Sequence, residues 1–253
     1  LYVTFRQRLP DPGTFSDDPP VRRALGQGLA HLHIQSRWND WFLNDETVAL
    51  EKALAGLRGG FLGARALGYS MGGYGALRLA RSLGLDQAIL VSPQFTLDRD
   101  ILPMEHRYPE AETFNRHLGD LSVFAKPDLA GVVIFDPFRP LDRLHADLIA
   151  RTMPRMALAR FPFGGHPATG VLREMEGFRL LQGISLNPDA QASDLVALHR
   201  SLRSRSALYW KHRSDACIRV GRVAEAQAAA ARGRDLRRLQ KAGHPARGRD
   251  SAR

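Results

Sequence analysis

The chain has 253 residues, 44% of them apolar and 25% charged, the make-up of a globular protein with one substantial core. No apolar run approaches the roughly 20 residues needed to cross a bilayer, and a single cysteine, Cys217, excludes an internal disulfide. The formal net charge of +10 sits in residues 200–253, which hold 15 Lys and Arg against 4 Asp and Glu; residues 1–199 hold 21 against 22.

The first 185 residues alternate strand-like and helix-like segments, which predicts an α/β fold, a mostly parallel sheet flanked by helices. Leu1–Phe5 reads as a strand, followed by a loop rich in turn residues and a short helix around Val21–Leu25. Leu29–Gln35 is the next strand. Asn44-Asp-Glu then caps a helix running to about Leu57, with Val48, Leu50, Leu54 and Leu57 on one stripe. Phe61–Leu67 is a strand that leads into a glycine-rich turn and an Ala/Leu-rich helix. Gln87–Val91, Val132–Phe135 and Met156–Phe161 complete the strands. Leu97–Pro127 is a long polar insertion, expected above the carboxyl edge of the sheet, where substrate loops sit.

Three units follow from this pattern: a domain over 1–185, a helical extension over 186–232 and a basic, disordered tail over 233–253. Leu208–Val220 and Val223–Ala231 look like one tetratricopeptide-type helix pair. A lone pair of that kind must bury its face on the domain, on a protein partner or on further chain. Cys217 reads as a small buried residue of the extension. The tail lacks interleaved aromatics and any nucleic-acid motif, so nucleic acid is an unlikely partner. Leu1–Phe5 lacks the features of an export signal, which makes the cytoplasm the default location. No His, Cys, Asp and Glu set has ligand spacing, so neither metal nor cofactor is expected.

The chemistry concentrates at Gly68-Tyr69-Ser70-Met71-Gly72, a G-x-S-x-G pentapeptide between an apolar strand and a helix. Glycines on both flanks let the chain turn sharply while Ser70 presents its hydroxyl and backbone N–H groups face a developing oxyanion. A serine needs a base. His166, in Phe161-Pro-Phe-Gly-Gly-His166-Pro after the last strand, is best placed among nine histidines. The orienting acid is read as Asp136, at the tip of the strand Val132–Phe135. Asp142 is the alternative acid, six residues further on, where it also suits an N-terminal helix cap. Trp38 and Trp41, in Ser36-Arg-Trp-Asn-Asp-Trp-Phe42, together with Tyr69 are candidates to bind substrate. The two tryptophans suit either stacking on a sugar or packing beneath the following helix.

Gly68–Gly73 between strand and helix, Asp136-Pro after a strand and Gly165-His166-Pro after the last strand resemble the α/β-hydrolase superfamily over residues 1–180. The resemblance implies a Ser–His–acid triad, an acyl-enzyme and an oxyanion N–H from Met71. A second donor is expected from the loop after Phe5. There Arg6-Gln7 stands where the superfamily commonly has His-Gly. Its first two strands have no counterpart here, as though an N-terminal segment were missing. The expectation is a serine hydrolase of the esterase type acting on a small or carbohydrate-linked acyl ester. An acyltransferase with the same triad, or a non-catalytic protein of this fold that binds partners through its C-terminal helices, are the alternatives.

Overall fold

A computed structural model describes residues 1–243; residues 244–253, the end of the basic tail, lie outside the described residues. The chain runs β1 (Tyr2–Phe5), α1 (Arg22–Leu25), β2 (His31–Ile34), α2 (Thr47–Arg58), β3 (Arg65–Tyr69) and α3 (Met71–Arg78). It continues with β4 (Gln87–Val91), a 3-10 turn at Pro109–Glu112, α4 (Arg116–Gly119), α5 (Leu121–Phe124), β5 (Ala130–Phe135) and α6 (Pro140–Thr152). The last elements are β6 (Met156–Arg160), α7 (Gly170–Glu174), α8 (Phe178–Ser185), α9 (Ala192–Arg203), α10 (Ala207–Arg219) and α11 (Val223–Gly243).

All six strands join one sheet in the order β2-β1-β3-β4-β5-β6, and every pairing is parallel. The fold is therefore of the α/β class, as the alternating pattern predicts. Strands buried on both faces explain the unbroken apolar runs such as Ala88–Val91 and Val132–Phe135. On one face, Val3, Phe5, Leu90 and Val133 pack with Leu54 of α2, Tyr74 and Leu77 of α3 and Ile149 of α6. On the other, Tyr2, Leu67, Val91 and Ile134 pack with Leu172 of α7, Leu181 of α8 and Leu195 of α9.

The strand order reverses between β1 and β3. In an open parallel sheet such a reversal leaves a crevice at the carboxyl ends of the two strands, because their connections leave in opposite directions. Here those ends carry Arg6-Gln7 and Ser70.

Two expectations need adjusting. The stripe on α2 is narrower than its spacing suggests: Leu54 is buried, but Val48 and Leu57 are 49% and 41% exposed. Edge strand β2 offers that helix only part of a face to cover. The basic segment does not lose order at Gly233. Instead α11 continues to Gly243, aided by the Ala-rich run before it and by the packing of α10 against α11. The helical extension, for its part, is seated on the rest of the chain, one of the three seats expected for it. Glu174 of α7 accepts the N–H groups of Ala207 and Leu208 at 3.0 Å and bonds the Ser206 hydroxyl, so a carboxylate caps the start of α10. Cys217 lies buried in α10, as expected. Among the described residues no helix is long and apolar enough to cross a membrane.

Candidate active site

Ser70 occupies the turn between β3 and α3 with φ 48° and ψ −120°, a backbone conformation that costs a non-glycine residue free energy. Its N–H bonds the Val91 carbonyl at 2.9 Å, and its own carbonyl accepts from Gly73 and Tyr74, so the sheet and the helix both hold the turn. The neighbouring glycines are there because backbone passes within contact of them. A β-carbon on Gly68 would lie 2.6 Å from the Gly72 carbonyl oxygen, and one on Gly73 would lie 2.8 Å from Pro93.

His166 Nε2 lies 3.1 Å from Ser70 Oγ, and His166 Nδ1 lies 2.9 Å and 3.1 Å from the two oxygens of Asp142. A carboxylate only accepts, so Nδ1 carries the proton and Nε2 is left as an acceptor facing the serine. Ser70, His166 and Asp142 thus form a continuous hydrogen-bonded chain, and it is Asp142 rather than Asp136 that reaches the imidazole. Asp142 lies in the first turn of α6, 2% exposed, and also pairs with Arg107. Burial alone would raise its carboxyl, but the hydrogen bond and charge of His166 and the Arg107 guanidinium outweigh that and hold it below the usual range.

Asp136 does another job. Its Oδ1 accepts the N–H groups of Phe138 and Phe163, and its Oδ2 accepts that of Gly165, each at 3.0 Å. It is the cradle for the loop that carries His166. A carboxylate at a strand tip that turns into a tight loop is captured by the loop's own N–H groups before a side chain can use it. Burial pushes the Asp136 carboxyl up despite those three bonds. The C-terminal extension supports the same loop from outside. Phe163 stacks on Phe138 with ring centres 4.2 Å apart and meets Tyr209 of α10 edge-on. His212 of α10 donates to the Phe163 carbonyl at 3.1 Å.

The remaining sequence-derived candidates divide. Met71 opens α3, so its N–H is a first-turn donor with no partner inside the helix. A β-carbon on Gly72 would lie 2.9 Å and 2.8 Å from the carbonyl oxygens of Phe5 and Arg6, which brings the end of β1 against this turn. The Arg6 N–H is not free for an oxyanion: it bonds the Ile34 carbonyl at 2.9 Å and extends the β1–β2 ladder. Its guanidinium is likewise used, on the carbonyls of Thr14 and Ser36. Gln7 is one residue past that ladder, and its N–H makes no hydrogen bond among the described residues. Tyr69 faces away from the site. It stacks on Phe178 at 5.7 Å, and its buried hydroxyl has no partner. A side chain beside Ser70 on a strand must point to the opposite face of the sheet.

The tryptophan pair is split. Trp41 is 1% exposed and packs edge-on to Tyr108, with ring centres 5.0 Å apart. Trp38 is 57% exposed and lines a cavity of about 510 Å³ with Phe15, Arg37, Asp40, Asn44 and Asp45.

Sequence reasoning missed five groups: Tyr108, Gln94, Glu105, Arg107 and His145. The Tyr108 hydroxyl lies 3.0 Å from His166 Nε2 and accepts from Gln94 Nε2 at 3.1 Å, while Gln94 Oε1 lies 3.5 Å from Ser70 Oγ. Behind them, Glu105 is fully buried between Arg107 and His145, with His145 Nε2 at 2.8 Å. His145 Nδ1 accepts the Phe95 N–H, so its proton sits on Nε2 and points at Glu105. The polar insertion therefore runs a charged thread, Glu105–Arg107–Asp142, behind the imidazole. Gln94 had a readable signal: Ser92-Pro-Gln94 leaves β4 at the same sheet edge as Ser70. Tyr108 and Glu105 come from irregular chain with none. Among the described residues no three or more His, Cys, Asp and Glu side chains are grouped to hold a metal.

No protein-family model matches the chain, including its C-terminal helix pair, and no curated protein matches it. Among solved structures it is similar to the capsule O-acetyltransferase of Neisseria meningitidis serogroup A, at 13% identity and a TM-score of 0.48, over 71% of this chain and 85% of that one.

Proposed function

We propose that the chain is an acyl-handling enzyme of the α/β-hydrolase type, a serine esterase in which Ser70 is the nucleophile, His166 the base and Asp142 the orienting acid. One observation carries the reading: a partly buried Ser–His–Asp hydrogen-bonded chain ends on a serine held at φ 48° at the carboxyl edge of a parallel sheet.

Ser70 Oγ attacks the ester carbonyl as its proton passes to His166 Nε2. The carbonyl π electrons move onto oxygen, which faces the Met71 N–H and the unpartnered Gln7 N–H across the crevice. Collapse breaks the bond to the alcohol oxygen, which takes the proton from Nε2 and leaves an acyl-enzyme. Water repeats the sequence and frees Ser70. Asp142 stays ionised throughout, stabilising the imidazolium. The cleft beneath Trp38 opens at the end of β2, two strands and about 10 Å along the sheet edge from Ser70, and would take the distal part of a carbohydrate-linked substrate.

Labelling with a fluorophosphonate probe tests the reading. The wild type is expected to label at Ser70, and Ser70→Ala and His166→Ala to lose labelling while remaining folded. A well-folded wild type that fails to label would remove the serine from the chemistry and return weight to a partner-binding role. A labelled enzyme that passes acetyl to added alcohols faster than to water would be the acyltransferase.

A further inference from the structure

The mechanism above leaves Tyr108 and Gln94 unused, although both touch the reacting atoms. Their proton arrangement can be fixed by counting donors. Gln94 Nε2 lies 3.3 Å from the Ser92 carbonyl, which only accepts, so the amide nitrogen faces that side and also donates to the Tyr108 oxygen. Tyr108 therefore has its own O–H to give, and His166 Nε2 accepts it at 3.0 Å, with the Ser70 hydroxyl beside it. Nε2 has one lone pair, while Ser70 and Tyr108 both lie within 3.1 Å of it.

That balance changes at one moment of the reaction. When Ser70 delivers its proton, Nε2 turns from acceptor to donor and can no longer receive the Tyr108 hydrogen. The phenol must then point elsewhere, and what lies beside Nε2 at that instant is the alcohol oxygen that will accept its proton. We propose that Tyr108, oriented by Gln94, is a catalytic residue that donates a hydrogen bond to the alcohol-side oxygen of the ester as the acyl–oxygen bond breaks.

The proposal rests on the Ser70–His166–Asp142 reading. Tyr108 transfers no proton in it; the bond it makes exists only once charge has moved, so it belongs to the transition state rather than to binding. The surroundings suit a fixed neutral phenol. The residue is 7% exposed, Trp41 packs edge-on against its ring, and Arg8 and Arg107 lie 5.9 Å and 5.2 Å from its centroid. Burial pushes the hydroxyl above its ordinary pKa, so it keeps its hydrogen at neutral pH. The Gln94 N–H on its oxygen polarises the O–H further.

The experiment is a leaving-group series, p-nitrophenyl, phenyl and ethyl acetate, run on wild type, Tyr108→Phe and Gln94→Ala, with fluorophosphonate labelling of each. Tyr108→Phe keeps the ring and its packing. It is expected to label at Ser70, to keep KM, and to lose kcat on ethyl acetate by roughly 10²-fold, the scale of one transition-state donor. On p-nitrophenyl acetate the loss should be only a few-fold, since that alcohol oxygen carries its charge unaided. Gln94→Ala should follow in the same order with smaller losses. An equal loss across the series, or an unchanged or faster kcat on ethyl acetate, would overturn the role and leave Tyr108 as a mere competitor for the base. Absence of Ser70 labelling in wild type would sink the underlying triad instead, so the two failures are told apart.

Discussion

Ser70 is held mainly by its near neighbours in the chain, with one bond out to the sheet: Gly68, Gly72 and Gly73 close the turn around it, its carbonyl is taken by residues three and four positions on, and its N–H reaches Val91. Asp142 is held by Arg107, 35 residues earlier, and by His166, 24 residues later. The Ser70 turn is thus largely a local device, in which glycines let backbone meet backbone at contact distance. The Asp142 cluster is an assembly from three separate stretches, and its contacts form only once the sheet has brought them together. Asp136 and Asp142 mark the difference. Both stand near the end of β5, both are 2% exposed, and one collects backbone N–H groups while the other collects charges.

Exchanging each for asparagine should break that comparison most visibly. Asp142→Asn presents an amide where His166 Nδ1 and Arg107 both donate, so the imidazole loses its orienting partner. We expect kcat to fall about 10³–10⁴-fold with substrate binding kept. Asp136→Asn puts an N–H against a loop whose N–H groups need acceptors. It should lower the melting temperature first and activity second, through a loosened His166 loop. Esterase kinetics and thermal unfolding on both variants check this. Should Asp136→Asn cost more kcat than Asp142→Asn while remaining fully folded, the acid would pass back to Asp136.

The same contrast explains what the sequence made legible. Strand periodicity and the glycine signature are local, and they led to the parallel sheet and to Ser70 and His166 as a pair, which the structure brings within 3.1 Å. The choice of acid went the other way because Asp136 is nearer the strand tip, whereas reach depends on direction. Asp142 sits in the first turn of α6 and caps nothing there, so its carboxylate is free to face the imidazole. Tyr69 stood beside the nucleophile in sequence but was turned to the far face by strand alternation. Tyr108 and Glu105 come from the insertion, where no period exists to say which way a side chain points. The helical extension was recognisable as helices. That it buttresses the His166 loop through Tyr209 and His212 depends on packing alone.

The charged thread behind Asp142 makes the comparison testable by pH. Burial would raise the Glu105 carboxyl, but the hydrogen bond from His145 and the bonds and charge of Arg107 outweigh it and hold it down to about 2. A carboxyl whose pKa is depressed on folding contributes stability above its unfolded pKa, near 4.5, and loses it as pH falls through the folded value. Glu105→Gln should therefore destabilise by about 3 kcal/mol at pH 7, with the gap from wild type shrinking between pH 4.5 and pH 2. Urea unfolding of both proteins at pH 7 and pH 3 reads this directly. A gap that is equal at the two pH values would mean the Glu105 charge does nothing for the insertion.

The smallest effect belongs to the cavity at the end of β2, where the contrast is between an exposed tryptophan, Trp38, and an enclosed one, Trp41. Trp41 is enclosed and braces Tyr108, so its replacement should register in stability. Trp38 is over half exposed, with its ring 3.4 Å from where a Gly13 β-carbon would stand. Stacking of a sugar face on such a ring is worth about 1 kcal/mol. Trp38→Ala is accordingly expected to raise KM about five-fold for an acetylated glycoside while leaving kcat and the melting temperature alone. For ethyl acetate, too small to reach from Ser70 to the Trp38 cavity, KM should not change. A glycoside KM that also stays put would reduce Trp38 to a cover over the Gly13 loop, and the substrate would then have to be recognised entirely at the Ser70 end.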